Sequence, residues 1–547
     1  MERKRWYKDK VFDQIWPRSF KDGNGDGMGD LWGVLEKLDY IKSLGCDGIW
    51  FSPLYPSPGA DCGYDISDYM DIAEEFGGME AFKQVLDGAH ERDMKVIMDL
   101  VVNHTSDEHE WFQKSRQRID PYTDYYIWRP GPEGKLPNNW DSIFEGKAWQ
   151  WDEVRQEYYL HLFAIKQPDL NMDNPLVREE VKKVLRFWLD MGVDGFREDV
   201  ITFISKAEGL PNDHLFPVNK GFLKYNHGPH IHEYLQEFKE VLDEYDCFTM
   251  GEAPLVTPKK ALRYIDESRS ELDMMIQFDT ATCDCFKSDY MPTKFSLRKL
   301  KKAFSTWQKK LHNVAWNCLY LENHDHPRVV SRYGDPKFWK QSAKTLAASY
   351  LFQQGTPFVY QGQEIGMLNW EPADAEMYED VQTRWQYEHT KGDPDKRLKK
   401  MWRCSRDSSR TPVQWDASAH GGFTTGEPWF YVNPNYPIIN VAQQEQDPDS
   451  ILNFYRKAIE LRKSLPCVRY GDYREYEKDS DSLYMYTRQD SRQRLMVVCS
   501  FSNEFVKFKM PRLYHLDDAE MVLQNYADSD PMCRTLKPWE CRVYLWK

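Results

Sequence analysis

Three short segments end in carboxylates beside groups able to tune them: Gly195-Phe-Arg197-Glu198-Asp199, Thr249-Met-Gly251-Glu252 and Glu322-Asn323-His324-Asp325. A fourth, Asp99-Leu-Val-Val-Asn103-His104, adds another carboxyl and a second histidine. In an extended chain, residues two apart share a face, so Arg197 and Asp199 point the same way. A guanidinium beside a carboxylate keeps it ionised and aims it, as a nucleophile requires. Glu252 closes an otherwise apolar run, where loss of water raises a carboxyl pKa and suits a general acid. Alone, each group reads as a buried polar residue with a partner. Together they suit hydrolysis of a glycosidic bond, in which one carboxyl protonates the bridging oxygen and another attacks or stabilises the cationic sugar carbon. Carboxyls about 5–5.5 Å apart give retention and about 6.5–9.5 Å inversion. The sequence does not set that distance.

These segments need elements to position them. Apolar strand-like runs occur at Phe12–Trp16, Gly48–Ser52, Lys95–Val101, Val193–Asp199, Cys247–Gly251, Met274–Asp279, Ala315–Leu321 and Pro357–Tyr360. Amphipathic helical periods lie between them, at Leu31–Leu44, Ala81–Arg92, Pro175–Met191, Ile231–Leu242, Leu297–Leu311 and Trp339–Phe352. Eight strand–helix units predict an α/β fold with a parallel sheet closed as a (β/α)8 TIM barrel, whose strand C-termini carry catalytic groups. Residues 105–172 are too long for a plain connection and predict a domain inserted after the third strand. The barrel then spans 1–104 and 173–466, with a long polar, aromatic loop at 369–448 after the eighth strand. From 467 to 547 short alternating runs (Ser482–Tyr486, Arg494–Ser500, Glu504–Met510, Cys541–Trp546) predict a C-terminal antiparallel β-sandwich.

Composition narrows the partners. The 547 residues hold 72 Lys+Arg against 87 Asp+Glu, a net charge of −15. Such a chain lacks the positive surface that nucleic acid requires, and the same holds for an anionic membrane. The start has no apolar signal segment and no run is long enough to span a bilayer, so a cytoplasmic location is expected. Eleven scattered cysteines fit reduced thiols, and the Cys283/Cys285 pair has no second pair or histidine cluster with which to hold zinc. Aromatics at 15% suit sugar faces as well as core packing.

The four carboxylate segments resemble the four family regions of glycoside hydrolase family 13, the α-amylase family, in its oligo-1,6-glucosidase, isomaltase and dextran glucosidase group. Gln14-Ile-Trp-Pro-Arg-Ser-Phe20, Gly63-Tyr64-Asp-Ile-Ser-Asp68, His161-Leu-Phe163, Gln167-Pro-Asp-Leu-Asn171 and Arg410-Thr-Pro-Val-Gln-Trp415 are similar too. The resemblance implies that Asp199 is the nucleophile, Glu252 the acid then base, and Asp325 the transition-state stabiliser. It places His104, His324 and Arg197 around the sugar. Asp61 with Arg410 would close the pocket behind the non-reducing end, Tyr64 would stack on the sugar, and Phe163 would pack opposite. It implies a retaining, exo-acting α-glucosidase on short oligosaccharides, with no organic cofactor. Val200, after the nucleophile, is the residue typical of enzymes cutting α-1,6 bonds; Thr or Ala is typical of α-1,4 maltases. By itself Val200 is also a good strand residue.

The loop Asp22-Gly-Asn24-Gly-Asp26-Gly27-Met28-Gly-Asp30 spaces oxygen ligands like an EF-hand, with Gly at the sixth position but Gly33 at the twelfth and no helix pair. The resemblance implies a structural calcium on Asp22, Asn24, Asp26, the Met28 carbonyl and Asp30. Three positions depart from the group. Glu198 replaces an apolar residue and, facing the helix layer, calls for a basic or hydrogen-bonding neighbour. Cys62 replaces Asn at the expected pocket rim, and Glu322 replaces a frequent Asn beside Asp325. Trehalose-6-phosphate hydrolase and sucrose-active or α-1,4-specific enzymes are the alternatives within the family. A carbohydrate-binding or transporter-subunit role is disfavoured by the intact carboxyl set and the absence of an anchor.

Overall fold

The computed structural model describes residues 5–215 and 219–547. The eight apolar runs pair as parallel strands: β1 Phe12–Ile15, β2 Gly48–Phe51, β3 Lys95–Leu100, β4 Gly195–Glu198, β5 Phe248–Glu252, β6 Met274–Ile276, β7 Cys318–Leu319 and β8 Thr356–Tyr360. Their order, β7-β8-β1-β2-β3-β4-β5-β6, makes a nearly closed barrel. Phe12, Trp50, Ile97, Phe248, Met250, Met274 and Phe358 fill its interior. The β3–β4–β5 register pairs Asp99 with Arg197 and Arg197 with Met250. At Gly195 a Cβ would stand 2.1 Å from the Phe248 carbonyl oxygen, so only glycine lets β4 approach β5 this closely.

Helices form where the 3.6-residue period predicts them. Pro175–Met191 begins behind Asn174, whose side chain accepts from Leu176 N–H, and ends at Gly192 in the left-handed region (φ 108°). Leu31–Leu44 divides into Leu31–Glu36 and Leu38–Leu44. At the break, Lys37 N–H reaches three residues back to Val34 O (3.0 Å), and the Lys37 ammonium sits over Trp415. Tertiary packing therefore cuts a continuous amphipathic period.

Between residues 105 and 172 the chain forms a three-stranded antiparallel sheet, with Glu157–Leu160 between Trp128–Arg129 and Trp149–Asp152. Its apolar side chains, among them Trp140, Phe144 and Phe163, pack with Val200, Phe203 and Phe222. This excursion leaves and rejoins the barrel at one place. His104 and Asp169 form an antiparallel bridge. Lys206 Nζ lies 2.8 Å from Asp169 Oδ2 and donates to Asn103 Oδ1 at 2.9 Å.

The stretch expected as a polar loop at 369–448 contains the helices Val381–His389, Pro394–Trp402 and Val441–Gln446. The C-terminal region holds a five-stranded antiparallel sheet and a two-stranded ribbon, Val506–Lys507 with Thr535–Leu536. Strand pairing within the expected Glu504–Met510 run is confined to that ribbon. One face of the larger sheet (Tyr484, Tyr486, Val497, Cys499) joins the main core, and the other (Met485, Met496, Val498) packs under Phe508 and Tyr514. All eleven cysteines are free. No described helix is long and apolar enough to cross a membrane.

Candidate active site

The C-terminal ends of β3, β4 and β5 bring three acidic side chains around one guanidinium, and the segment after β7 adds a fourth, Asp325, to the same cavity. Arg197, 1% exposed, donates through Nη1 to Asp99 Oδ1 (2.8 Å) and Asp199 Oδ1 (2.7 Å), and its Nη2 lies 2.8 Å from Glu252 Oε2. Two carboxyls held by the adjacent Nη atoms of one guanidinium stand side by side. Burial raises all three carboxyls, and Arg197 is the strongest counterweight to each. Asp99 is pushed up to about 6. One guanidinium cannot cancel three carboxylates, so burial outweighs Arg197 at each of them and all three lie above their ordinary values.

Asp325 behaves in the opposite way. Burial acts to raise it, but His324, Arg406, Arg410 and Arg197 hold it well below the ordinary carboxylate range. Its Oδ2 lies 3.1 Å from His324 Nε2 and its side chain is 22% exposed. His324 is stacked between Trp16 (5.2 Å) and Tyr64 (5.3 Å), with Gln14 Nε2 2.7 Å from Nδ1 and Tyr64 Oη 2.7 Å from Nε2. One face of the Tyr64 ring is therefore taken by His324. Tyr64 also donates to Asp99 Oδ2 at 3.1 Å. Burial lowers both site histidines; His104, pushed down to about 3, is a neutral hydrogen-bonding group, while the negative charge of Asp325 works against burial at His324.

The expected Asp61–Arg410 pair needs correction. Asp61 pairs with Arg406, Nη2 to Oδ1 at 3.1 Å. Arg410 instead donates to His324 O at 3.1 Å, lies over Trp16, and reaches Asp325 Oδ1 at 3.5 Å. Asp61 also accepts from Gln167 Nε2 at 3.2 Å, which stands 3.1 Å from His104 Nε2. Burial pushes Asp61 up to about 6 against the pull of Arg406 and Arg410.

These groups meet in a cavity of about 460 Å³. Asp61, Tyr64, His104, Phe163, Asp199, Val200, Glu252 and Asp325 line it. Its outer part is walled by Phe144, Phe222, Leu255 and Phe278, with a rim that includes Lys287, Asp289 and Gln382. Phe163 packs on His104 with ring centres 5.0 Å apart. Val200 lies beyond the end of β4, with left-handed φ and ψ of 34° and 39°. Such a conformation is costly for a β-branched residue.

The three departures resolve differently. Glu322 faces away from the cavity, pairing with Arg328 at 3.1 Å and accepting from Val329 N–H at 2.8 Å. It is a structural ion pair, not a substrate contact. Cys62 is half-buried and packs against the main core instead of lining the cavity. Glu198 is 2% exposed, as a side chain directed into the helix layer should be.

In the loop at 22–30 the donors are all oxygens, as a hard cation requires. Here they organise the loop itself. Asp22 accepts from the N–H groups of Asn24, Gly25 and Gly27, and Asp30 from those of Gly23, Asn24 and Gly33. No three acidic, histidine or cysteine side chains converge as a metal site among the described residues.

Sequence reasoning missed Arg406, its partner Asp380 (which accepts from Arg406 Nε at 3.0 Å), Gln167 and the cavity-lining His326. Ser405-Arg406-Asp407-Ser-Ser-Arg410 offers two arginines four apart, and nothing in their spacing says which one faces Asp61. Gln167 stood inside a recognised motif without a distinctive chemistry of its own.

The chain matches the alpha amylase catalytic domain over residues 14–471. It is 49% identical over 556 residues to an oligo-1,6-glucosidase of Parageobacillus thermoglucosidasius, covering 98% of each chain. Among solved structures it is similar to trehalose-6-phosphate hydrolase of Bacillus licheniformis, with a TM-score of 0.94 and 42% identity, covering 99% of this chain and 100% of that one. It is also similar to the trehalulose synthase of Pseudomonas mesoacidophila MX-45, with a TM-score of 0.93 and 40% identity over 99% of each.

Proposed function

Because the chain belongs to the α-amylase family of glycoside hydrolases, close to the oligo-1,6-glucosidases, we propose that it is a retaining, exo-acting α-glucosidase that removes terminal glucose from isomaltose and short isomalto-oligosaccharides. In this reading Asp199 attacks the anomeric carbon while Glu252 gives its proton to the departing oxygen. A β-glucosyl ester on Asp199 results. Glu252, now ionised, takes a proton from water, which attacks the same carbon and releases α-glucose and free Asp199. Asp325, ionised beside His324, stabilises the cationic carbon and grips sugar hydroxyls.

The observation that carries the reading is the grip of Arg197 on Asp199 and Glu252 together. Carboxyls set side by side suit the shorter separation of a retaining site, about 5–5.5 Å. Burial, with Asp325 adding to it, raises Glu252 and favours a protonated acid. The Asp61–Arg406 pair supports a wall behind the terminal glucose.

Charge at the cavity supports isomaltose over a phosphorylated disaccharide. A phosphate needs charge-assisted donors. Among the described residues, the Lys and Arg side chains lining the cavity are Arg406 and Lys287, against Asp61, Asp199, Glu252, Asp289 and Asp325. Arg406 is committed to Asp61, Asp325 and Asp380. Lys287 alone would have to offset a dianion in an acidic surround, which favours a neutral sugar.

Turnover of isomaltose, maltose, sucrose and trehalose-6-phosphate tests the reading, with proton NMR on the first-formed glucose. Isomaltose is expected to give the highest kcat/KM and an α-anomer. Preference for another member of the panel, or a β-product, refutes it. Loss of turnover in Asp199→Ala separates catalysis from sugar binding alone.

A further inference from the structure

We propose that Asp380 is a positioning residue that fixes Arg406 across the back of the pocket and so restricts the site to a single terminal glucose; this rests on the glucosidase reading above.

Among the described residues, Arg406 is the one side chain that ion-pairs with both Asp61 and Asp325, through Nη2 at 3.1 Å and Nη1 at 3.3 Å. Its guanidinium lies over Phe144, 4.8 Å from the ring centre. A long arginine loses rotamer entropy when it is held in one geometry. The cavity-side carboxylates do not hold it alone. From the far side Asp380 Oδ1 accepts from both Arg406 Nε (3.0 Å) and Nη2 (2.5 Å). These two bonds set the plane of the guanidinium and the direction in which Nη1 and Nη2 point.

Asp380 is itself held from several elements. It is 1% exposed. Its Oδ2 accepts from Tyr290 Oη (3.0 Å), Thr383 N–H (3.0 Å) and Thr383 Oγ1 (2.5 Å). Its own N–H donates to Asp407 Oδ2 at 3.1 Å. Asp380 does not line the cavity; it reaches the site through Arg406 and through the helix it caps, whose Gln382 stands at the rim, and Thr383→Val serves as the control for the second route. Asp380 also caps the helix Val381–His389, which makes truncation a poor test and Asn the right replacement, since Asn keeps the capping acceptor and removes the charge.

The test compares wild type with Asp380→Asn on isomaltose and on 6-O-α-maltosyl-glucose, whose α-1,6 bond has an extra glucose on its non-reducing side. Asp380→Asn is expected to raise KM for isomaltose at least tenfold with less than a threefold fall in kcat. It is also expected to release maltose from the extended sugar, which the wild type leaves intact. Thr383→Val removes a bond to Oδ2 but leaves the Oδ1–Arg406 contacts, and should keep the wild-type KM and selectivity. If Asp380→Asn does not fold, Asp380→Glu, which displaces the carboxylate by one methylene, should show a smaller rise in KM and slight maltose release. Wild-type KM and selectivity in the folded variant overturn the inference, as does a Thr383→Val enzyme that reproduces the Asn variant. Should the wild type turn over none of the panel, the glucosidase reading fails separately. The inference is then judged by calorimetric titration with glucose, where Asp380→Asn should weaken binding tenfold and unchanged affinity overturns it.

Discussion

The backbone N–H of Val200 donates to Glu252 Oε2 across 3.1 Å. The residue that follows Asp199 therefore also holds the carboxyl facing it. Val200 does this from a left-handed backbone and presents its side chain to the cavity. It is not a strand residue retained for its propensity. Val200→Thr keeps the branching and exchanges a methyl for a hydroxyl where the aglycone lies in the proposed reading. Swaps of that size in a pocket are worth about 1–3 kcal/mol. The ratio of kcat/KM for isomaltose over maltose is expected to fall by about tenfold, or about 1.4 kcal/mol. An unchanged ratio would remove Val200 from the specificity argument.

Asp99→Asn addresses the coupling of the three carboxyls around Arg197. Asp99, Asp199 and Glu252 are all raised by burial around Arg197. Removing one negative charge makes ionisation of the other two easier, so their pKa values fall. The alkaline limb of kcat/KM against pH, where the acid loses its proton, should move to lower pH by about one unit. The same profile in both enzymes, or a shift to higher pH, would show that Asp99 does not share in the titration.

Asp13→Asn tests a second buried carboxyl pair. Asp13 and Glu364 are each 2% exposed, and Asp13 Oδ1 and Glu364 Oε2 have no hydrogen-bond partner. Tyr40 Oη donates to Glu364 Oε1 at 2.6 Å. Burial, then the charge of Glu364, raises Asp13 well above its ordinary value. A raised folded pKa means the native state binds more protons than the unfolded chain between the two values. Across that window stability falls as pH rises, by about 1.4 kcal/mol per unit. The Asn variant lacks this loss. Its melting temperature should match wild type near about pH 4, where the unfolded carboxyl titrates, and exceed it increasingly at higher pH. A pH-independent difference by calorimetry would contradict a raised Asp13 carboxyl.

Calcium at the 22–30 loop is proposed as a structural ligand on Asp22, Asn24, Asp26, the Met28 carbonyl and Asp30. The loop packs against residues 423–429, with Asp22 N–H donating to Phe423 O (3.1 Å) and Trp429 N–H to Gly27 O (2.9 Å). Binding to the folded state alone adds about 2.7 kcal/mol at a hundredfold excess over Kd. Chelated protein should melt several degrees higher after calcium addition, and Asp26→Ala, whose side chain faces solvent, should abolish that rise. Identical melting with and without calcium would leave a loop held by its own carboxylates.

Much of the barrel was legible because eight apolar runs and the helical periods between them repeat one unit, and β-strand C-termini in such a barrel carry chemistry. The helices Pro175–Met191, Ile231–Leu242 and Leu297–Leu311 lie where their periodicity predicts. The strand Glu520–Gln524 was not legible, because its polar residues and its irregular register between Met521 and Leu523 hide the alternation. At the site, Arg197 could be paired with Asp199 because two residues on one strand have a fixed relation. Arg406 could not be paired with Asp61, 345 positions away, since no local period relates them. The left-handed Val200 was equally hidden, because its composition argues for a strand and only the tertiary neighbours impose the turn.

The single ammonium of Lys206, bridging Asn103 and Asp169, pins both ends of the excursion that supplies Phe144 and Phe163. The entropic cost of closing such a loop grows only slowly with its length, about 0.6 kcal/mol for each doubling. With its two ends fixed at one point, the intervening chain can lengthen, shorten or change sequence without shifting the register of β3 and β4. The wall that meets the substrate in the proposed reading is thereby free to diverge while the carboxyls around Arg197 stay in place.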